Sequence, residues 1–368
     1  MTRTLSRPER LAWARLARTP RIGPLTFHRL IARFRTASAA LEALPRISQL
    51  TPPPLDSVEA ELEGVEALGA ELVASSEPDY PPLLAQLDAP PPVLAMRGDV
   101  KLLHRPTIAI IGSREASAGA LLFAERLAAD LGAAGFTIVS GLARGLDASA
   151  HKGSLTTGTA AVLAGGLDHP YPPQNLELHD AICARGVVVT EAPLRTVARA
   201  RDFPRRNSII SGLSRAVVII EAALRSGSLI TARAAADQGR DVMAVPGSPL
   251  DPRARGSNAL IKQGATLIES AEDVIAALGD GAPPLRPLSA GPLFDPDVSE
   301  PPPPGLPKKI AALLSPTPIH VNDLARLTDA PMGAVAAALT ELELEGLAAS
   351  LPGGYAALGR HAFGNGGD

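Results

Sequence analysis

The sequence predicts an α/β protein built on a Rossmann-like, doubly wound and mostly parallel sheet, with a small helical domain before it and a winged helix after it. From residue 106 to about 279, short β-rich runs alternate with helical segments, which is typical of a parallel sheet with helical crossovers. The chain before residue 100 has helical periodicity, and its last part has three short helical runs and a hairpin pattern. We therefore expect domains at 1–100, 101–279 and 308–362, with a linker at 280–307.

The N-terminal segment contains a tight turn, Arg21–Pro24, between two amphipathic runs in the string LARTPRIGPLTFHRLIARF. This pattern predicts a small domain of the SAM or helix-hairpin-helix type. In such turns, backbone N–H groups at a helix start can hold a phosphate. A simple packing module with a Gly-Pro turn explains the same pattern, so both interpretations stay open.

Six strand candidates form the predicted sheet. Each is a short apolar, mostly β-branched run bounded by glycine or polar residues, and a helical pattern follows. They are TIAIIG from residue 107, FTIVSG from 136, TAAVLAGG from 159, VVVTEA from 187, AVVIIEA from 216 and DVMAVPG from 241.

The predicted linker at 280–307 contains ten prolines, including Pro301–Pro304, and such a composition favours an extended chain. Beyond it, the strings PKKIAALL, HVNDLARLT and PMGAVAAALTELELEG predict three short helices, and LPGGYAAL predicts a hairpin. Three helices followed by a hairpin indicate a winged helix.

Composition limits the class of protein further. The chain is 46% hydrophobic and 20% charged over 368 residues, which is enough to bury the cores of two or three domains. Its apolar stretches are broken before they reach the roughly 18 residues of a membrane span, and its arginine-rich start differs from a secretory signal. The single cysteine, Cys183, cannot form a disulfide within the chain. We expect a cytoplasmic protein without a membrane segment.

The net charge of −3 hides an uneven distribution. Residues 1–36 hold nine basic residues against Glu9, and residues 185–262 hold thirteen against six acids. Residues 316–368, by contrast, hold six acids and two basic residues. The basic stretches predict contact with a polyanion, which the acidic C-terminal part should repel.

The carboxyl ends of the predicted strands combine glycine with hydroxyl residues, as in Gly112–Arg114 and Ser226–Thr231. Ligands of open parallel sheets bind at this edge, where glycine lets the backbone approach and free N–H groups bind phosphate oxygens. One such loop can use glycine merely to turn, but several at one edge favour a phosphate site. Basic and polar side chains join them, although solvated charge is the alternative for an arginine run. These side chains are Arg114, Arg144, Lys152, Arg195, Arg199, Arg201, Arg205, Arg206 and Asn207, with Phe203 as a nearby ring.

Several enzyme classes lack their motifs. The string GSREASAG has too few glycines for a dinucleotide fingerprint, and a Walker A loop and metal-ligand spacings of His and Cys are absent from the sequence. We therefore expect no cofactor and no metal. Four acids at strand ends either cap helices and orient arginines, which we favour, or form an acid/base group. They are Asp147, Asp168, Glu191 and Glu221.

Six strings in order resemble the DprA/Smf family, the DNA-processing proteins A. They are GSR, SGLARGLDASAHKGSL, GGLDHPYPPQN, FPRRNSIISGLS, VVIIEAALRSGSLITARAAADQGRDVMAVPG and SNALIKQGATLI, within residues 106–268. The resemblance implies a non-catalytic, dimeric binder of single-stranded DNA that hands the strand to the recombinase RecA in natural transformation. Family members often differ at Thr190, at Ser208 and after Pro193, which affects the lining of the pocket.

The predicted DNA-binding residues come from these motifs and from the strand ends. The resemblance implies Arg114, Arg205, Arg206, Asn207, Ser226–Ser228 and Lys262, and the strand ends add neighbours. The full set is Gly112, Ser113, Arg114, Lys152, Arg205, Arg206, Asn207, Ser226, Gly227, Ser228, Thr231 and Lys262.

Single strands are the expected ligand because loops at a sheet edge accept phosphates and splayed bases, whereas duplex reading needs an element that fits a groove. With 3% aromatic residues, stacking platforms should be few, and binding should be dominated by phosphates. Two alternatives remain. One is a nucleotide hydrolase of the phosphoribohydrolase group, although SGSLIT lacks the expected following Glu; the other is a scaffold that recruits a recombinase without touching DNA.

Overall fold

A computed structural model describes residues 4–47, 49–279, 303–345, 347–351 and 354–359. Its first four helices form a small N-terminal bundle, in which Gly23 and Pro24 start the second helix. Trp13, Phe27 and Leu44 are buried in its core, and the Trp13 indole donates to Pro92 O at 2.7 Å. The helices are α1 (Arg7–Ala17), α2 (Pro24–Phe34), α3 (Ala37–Ile47) and α4 (Leu55–Ala67).

The described residues next form a nine-stranded sheet in the order β1-β2-β6-β5-β4-β3-β7-β8-β9. All six predicted strands are present and lie parallel to their neighbours in this group, which confirms the predicted fold class. The strands are β1 (Ala70–Ala74), β2 (Val93–Gly98), β3 (Thr107–Ile111), β4 (Thr137–Ser140), β5 (Thr159–Val162), β6 (Val187–Thr190), β7 (Ala216–Ile219), β8 (Asp241–Ala244) and β9 (Thr266–Leu267).

The prediction that the chain is helical up to about residue 100 is wrong for β1 and β2. These strands pair antiparallel with each other, and β2 also pairs antiparallel with β6. A short buried run such as VLAM is compatible with either a helix or a strand, and the partner that decides lies about ninety residues later in the chain. Residues 70–98 are therefore attached to the sheet, with a short helix α5 (Pro82–Ala85) between the two strands.

Helices cover both faces of the sheet, as a parallel sheet requires. Alternate residues of β3 show this arrangement, since Ile108 and Ile110 belong to one apolar core and Ala109 and Ile111 to the other. The helices of this region are α6 (Ala118–Ala133), α7 (Leu146–Ser154), α8 (Leu176–Arg185), α9 (Phe203–Gly212), α10 (Ser228–Asp237), α11 (Arg255–Lys262) and α12 (Ala271–Leu278).

The strand order reverses between β3 and β7. From β3 the chain builds outward through β4, β5 and β6, and then returns to place β7 on the other side of β3. The loops that follow β3 and β7 consequently diverge. A crevice opens at such a switch point, and ligands of this fold class bind there.

The C-terminal unit has the three predicted helices and the predicted hairpin, which confirms the winged helix. Its strands form an antiparallel sheet in the order β10-β12-β11. Residues 280–302 of the predicted linker, and 360–362 of the predicted last domain, lie outside the described residues. The elements are α13 (Leu306–Leu313), β10 (Ile319–His320), α14 (Val321–Thr328), α15 (Met332–Leu344), β11 (Ala348–Leu351) and β12 (Tyr355–Leu358).

The winged helix packs against α6. Ala118 and Leu122 of α6 join its apolar core, and Arg326 pairs with Glu125 at 3.0 Å. Arg253 donates to the carbonyls of Ala312 and Leu314 at the end of α13, at 3.2 and 3.0 Å. Among the described residues, every helix is too short or too polar to cross a membrane.

Candidate nucleic-acid interface

A cleft of about 630 Å³ lies at the switch point between β3 and β7. Its walls are the loops after these two strands together with the first turns of α9 and α10. Nine of the predicted binding residues line it: Gly112, Ser113, Arg114, Arg206, Asn207, Ser226, Gly227, Ser228 and Thr231.

The loop after β4 packs tightly on the loop after β3, and this packing shapes one wall of the cleft. Gly145 has a φ of +75°, and a Cβ there would lie 2.5 Å from Ser113 O. The Leu146 N–H donates to the same carbonyl at 3.2 Å. Because the loop backbone is held in this way, Arg114 is presented on the surface, with its guanidinium carbon 5.4 Å from the centre of the Phe203 ring.

Arg206 lies inside the wall of the cleft, since it is only 5% exposed. Its guanidinium donates to the carbonyls of Gly141 and, at 3.1 Å, Val162, and it lies beside the buried Asp147. A Cβ at position 141 would lie 2.5 Å from the guanidinium carbon, so glycine is needed there. Arg206 thus holds the loop after β4 in place, and a direct contact between Arg206 and DNA stays a prediction.

Arg206 and Asp147 are both buried, and the charge of each opposes the pKa shift that burial causes in the other. Burial lowers the pKa of Arg206, and the charge of Asp147 counters this effect. Burial likewise raises the pKa of Asp147, whereas Arg206 and the N–H groups of Ala143 and Gly141 lower it. Asp147 accepts from those two N–H groups at 3.3 and 3.2 Å. Both side chains therefore hold backbone groups of the cleft wall and do not face solvent.

His151 lies in the same buried region, and we expect it to make the stability of the chain dependent on pH. Its Nδ1 lies 2.7 Å from Thr159 Oγ1, and its Nε2 has no hydrogen-bond partner among the described residues. Burial, and then the charge of Arg206, lower its pKa from 6.5 to about 3. Since protonation favours the unfolded chain, the free energy of unfolding should fall as the pH drops from 6.5 toward 3.

Replacing His151 with leucine should remove this loss of stability at acidic pH. The slope of the free energy of unfolding against pH should become shallower by up to about 1.4 kcal/mol per pH unit. This is the contribution of one group that binds a proton in the unfolded state but not in the folded state. Urea unfolding at pH 7, 5.5 and 4.5 measures the slope, and His169→Leu, at an exposed site, is the control. The raised pKa of Asp147 acts in the opposite direction but is common to all the chains compared. Equal slopes in the wild-type chain and His151→Leu would contradict the assignment.

Arg205, unlike the buried Arg206, lies at the surface. Its side chain is 63% exposed and pairs with Glu191, whose backbone carbonyl accepts from Arg18 at 2.9 Å. Burial raises the pKa of Glu191, and the charge of Arg205 opposes that rise. These residues line a neighbouring pocket of about 290 Å³ that Arg206 also borders. The structure therefore does not bring Arg205 into the main cleft.

The turn before α10 presents the helix N-terminus to the cleft. Ser226 Oγ and Ser228 Oγ are 2.7 Å apart, and the Ser228 N–H donates to Ser226 Oγ at 3.3 Å. Asn207 on α9 donates to Gly227 O at 3.4 Å, which links the two helix starts. Backbone N–H groups at such a position, with the helix dipole behind them, form a binding site for an anion.

Two predicted lysines lie outside this lining, and one arginine was missed. Lys152 on α7 and Lys262 at the end of α11 are exposed, but the described residues that form the cleft do not include them. Arg225, which is exposed, does line the cleft. Its position directly before the Ser226–Ser228 turn is the signal by which the sequence could have identified it.

The four acids at strand ends interact with backbone N–H groups or side chains of the protein itself. Glu221 accepts from the Ser117 N–H and hydroxyl at 2.9 and 2.6 Å, which fixes the start of α6. Asp168 accepts from the backbone N–H of Arg195 at 2.8 and 2.9 Å, Asp147 accepts from the N–H groups of Gly141 and Ala143, and Glu191 pairs with Arg205. Among the described residues, no three His, Cys, Asp or Glu side chains are grouped so that they could hold a metal.

The fold and the cleft together define a class: a Rossmann-like α/β protein with a basic, loop-lined cleft at its switch point and a winged helix attached. Comparison with known families gives the particular family. The model for DNA recombination-mediator protein A matches residues 71–279, that for a DprA-like N-terminal HHH domain matches 7–64, and that for a DprA winged helix domain matches 294–354. The chain belongs to the DprA/Smf family, as its motifs predicted.

Individual relatives agree with this assignment. Protein Smf of Escherichia coli is 38% identical over 311 residues, which cover 83% of this chain and 82% of that protein. The structure of DNA processing protein A from Streptococcus pneumoniae is similar with a TM-score of 0.62 and 30% identity, over 75% of this chain and 98% of that one. For DNA processing protein A from Helicobacter pylori the TM-score is 0.53 with 29% identity, over 57% and 95% of the two chains.

Proposed function

We propose that this chain binds single-stranded DNA in the cleft at the switch point. The observation that supports this most directly is that one concave surface combines the exposed cations Arg114 and Arg225, the N-terminus of α10 and the ring of Phe203. Cations and N–H groups bind phosphates, and an aromatic ring accepts a base. The solved structure of the Helicobacter pylori relative is described as revealing a single-stranded DNA binding mode.

The shape of the site favours a single strand over a duplex. Phe203 is only partly exposed, and the guanidinium carbons of Arg114 and Arg206 lie 5.4 and 5.5 Å from the centre of its ring. A base reaches such a ring only when it is unpaired and splayed from its neighbours, whereas duplex reading requires an element inserted into a groove. The accessible lining residues of the predicted set are therefore proposed as direct contacts: Gly112, Ser113, Arg114, Asn207, Ser226 and Gly227. Ser228 and Thr231 are buried, and we propose that they support the start of α10. Arg205, Lys152 and Lys262 would meet only a strand that continues beyond the cleft.

A competition experiment tests this proposal. A fluorescent oligonucleotide bound to the chain should be displaced by an unlabelled single strand at a concentration at least about tenfold below that of the same sequence as a duplex. Fluorescence polarisation measures both competitors in one buffer. Equal displacement, or preference for the duplex, would contradict a cleft that accepts splayed bases.

We also propose that the chain is not an enzyme. The acids at the strand ends engage N–H groups and arginines, which leaves them poorly placed as acid/base groups. Incubation with DNA, ATP or nucleoside monophosphates in the presence of Mg²⁺ should therefore give no turnover above a buffer control, by gel electrophoresis and phosphate release. Turnover that Asp147→Asn abolishes would support the alternative nucleotide hydrolase.

The remaining proposals concern partners. An apolar groove of about 380 Å³ between α10 and α11, near the exposed Leu267 of edge strand β9, supports a homodimer. Analytical ultracentrifugation of the wild-type chain and of Leu267→Glu tests the dimer: the wild-type chain should sediment as a dimer and Leu267→Glu as a monomer.

Membership of the family supports three further proposals: the chain transfers the strand to RecA during natural transformation, it protects incoming DNA, and it acts in the cytoplasm. Loading of RecA onto DNA coated with a single-strand binding protein, with and without this chain, tests that role.

A further inference from the structure

A second aromatic side chain lies beside the main cleft. The ring of Tyr171 stands edge-on to that of Phe203, with centroids 6.2 Å apart and planes inclined at 68°. Tyr171 is 53% exposed, which is high for a large ring that already has an aromatic neighbour. It lines a small concavity with Arg114, Arg144 and Phe203 that adjoins the cleft.

The position of Tyr171 is held by the segment that follows it. Asn175 donates through Nδ2 to the carbonyls of Leu142 and Ala143 at 2.9 and 3.1 Å. This contact ties the Tyr171 segment to the loop after β4, which Arg206 and Asp147 fix from the other side. The backbone that carries Tyr171 is therefore anchored near the cleft, and its ring contacts that of Phe203.

We propose that Tyr171 is a stacking platform for a second base, so that the strand runs from the switch-point cleft across Phe203 to Tyr171. This inference rests on the proposed function and extends it, since it gives the site two adjacent base positions. Exposed aromatic rings beside cations are the usual support for successive bases of a single strand. Because every base has a π-face, such a platform accepts all four bases, and the site stays tolerant of sequence.

The test compares Tyr171→Ala and Tyr171→Phe with the wild-type chain in oligonucleotide binding. Loss of one base–aromatic stack should weaken binding at least about fivefold for Tyr171→Ala, whereas Tyr171→Phe, which keeps the ring, should stay within about twofold. The slope of log K against log salt should be unchanged in Tyr171→Ala, because no phosphate contact is lost. Arg114→Ala, which removes a phosphate contact, should reduce that slope by about 0.7.

A strand made of abasic nucleotides completes the test. Tyr171→Ala and the wild-type chain should bind it equally, since it has phosphates but no bases to stack. A loss in Tyr171→Ala that is as large for the abasic strand as for the normal one would overturn the inference, as would unchanged binding of the normal strand. Failure of the wild-type chain to bind any single strand would overturn the proposed function as well, so the two failures are distinguishable.

Discussion

Replacing Arg206 with alanine is expected to lower the free energy of unfolding by about 2 to 6 kcal/mol, because two buried carbonyls lose their donor at a cost of about 1 to 3 kcal/mol each. Arg206 and Asp147 are 5% and 6% exposed. The substitution removes the donor to Gly141 O and Val162 O, takes away the positive charge that acts on the buried Asp147, and leaves a void behind the cleft wall. Urea denaturation at pH 7 measures the loss.

Arg205→Ala is the matched control, because it removes the same side chain from the adjacent position. Arg205 is 63% exposed, and its largely buried partner Glu191 also feels the charge of Arg18, so the loss of Arg205 should cost less than the loss of Arg206. Combining Arg206→Ala with Asp147→Asn should recover part of the stability, because the buried negative charge of Asp147 is then removed as well. If Arg206→Ala and Arg205→Ala were equally stable, the hydrogen bonds of Arg206 would not hold the cleft wall as described.

Replacing Arg114 with alanine is expected to weaken binding of single-stranded DNA by at least about tenfold. Arg114 is the exposed cation nearest to the Phe203 ring and lines both the cleft and the adjoining concavity. A hydrogen bond to a charged group contributes about 1.5 to 3 kcal/mol, which corresponds to a factor of ten or more. Polarisation with a labelled oligonucleotide at one salt concentration measures the change.

Lys152→Ala and Lys262→Ala are the controls for charge alone, because both lysines are exposed outside the cleft lining. Each should change the affinity less than about twofold for a strand short enough to stay within the cleft. Truncation after residue 290 should also cost far less than Arg114→Ala, since the winged-helix part is acidic. A larger loss from Lys262→Ala or from the truncation than from Arg114→Ala would place the DNA site elsewhere.

The sequence predicted the central sheet because its six strands are apolar runs in regular alternation with helices. It missed β1, β2 and β9, since Ala70–Ala74 and Val93–Gly98 are short and are defined by pairing with each other and with distant strands. The two residues of β9 are exposed, so they offer no buried-strand pattern at all. Local patterns therefore predict the parallel centre of this sheet better than its edges.

The candidate site was predictable where it depends on strand ends. Gly112–Arg114 and the Ser226–Ser228 turn lie at the edge that the fold class assigns to ligands, and they meet there. The different surroundings of Arg205 and Arg206 were not predictable from the string FPRRN. Adjacent residues of a helix point about 100° apart, and which of the two is buried depends on Gly141 and Asp147, about sixty residues earlier.

The salt dependence of single-strand binding tests the central claim most directly. If the switch-point cleft and its neighbouring cations bind about four phosphates, the slope of log K against log salt should be near −3, at about −0.7 per phosphate. Polarisation of one labelled oligonucleotide over a series of salt concentrations gives the slope. A slope near −3 that becomes shallower by about 0.7 in Arg114→Ala is the predicted result. An affinity that does not change with salt, or a slope that Arg114→Ala leaves unaltered, would contradict a phosphate-binding cleft at this position.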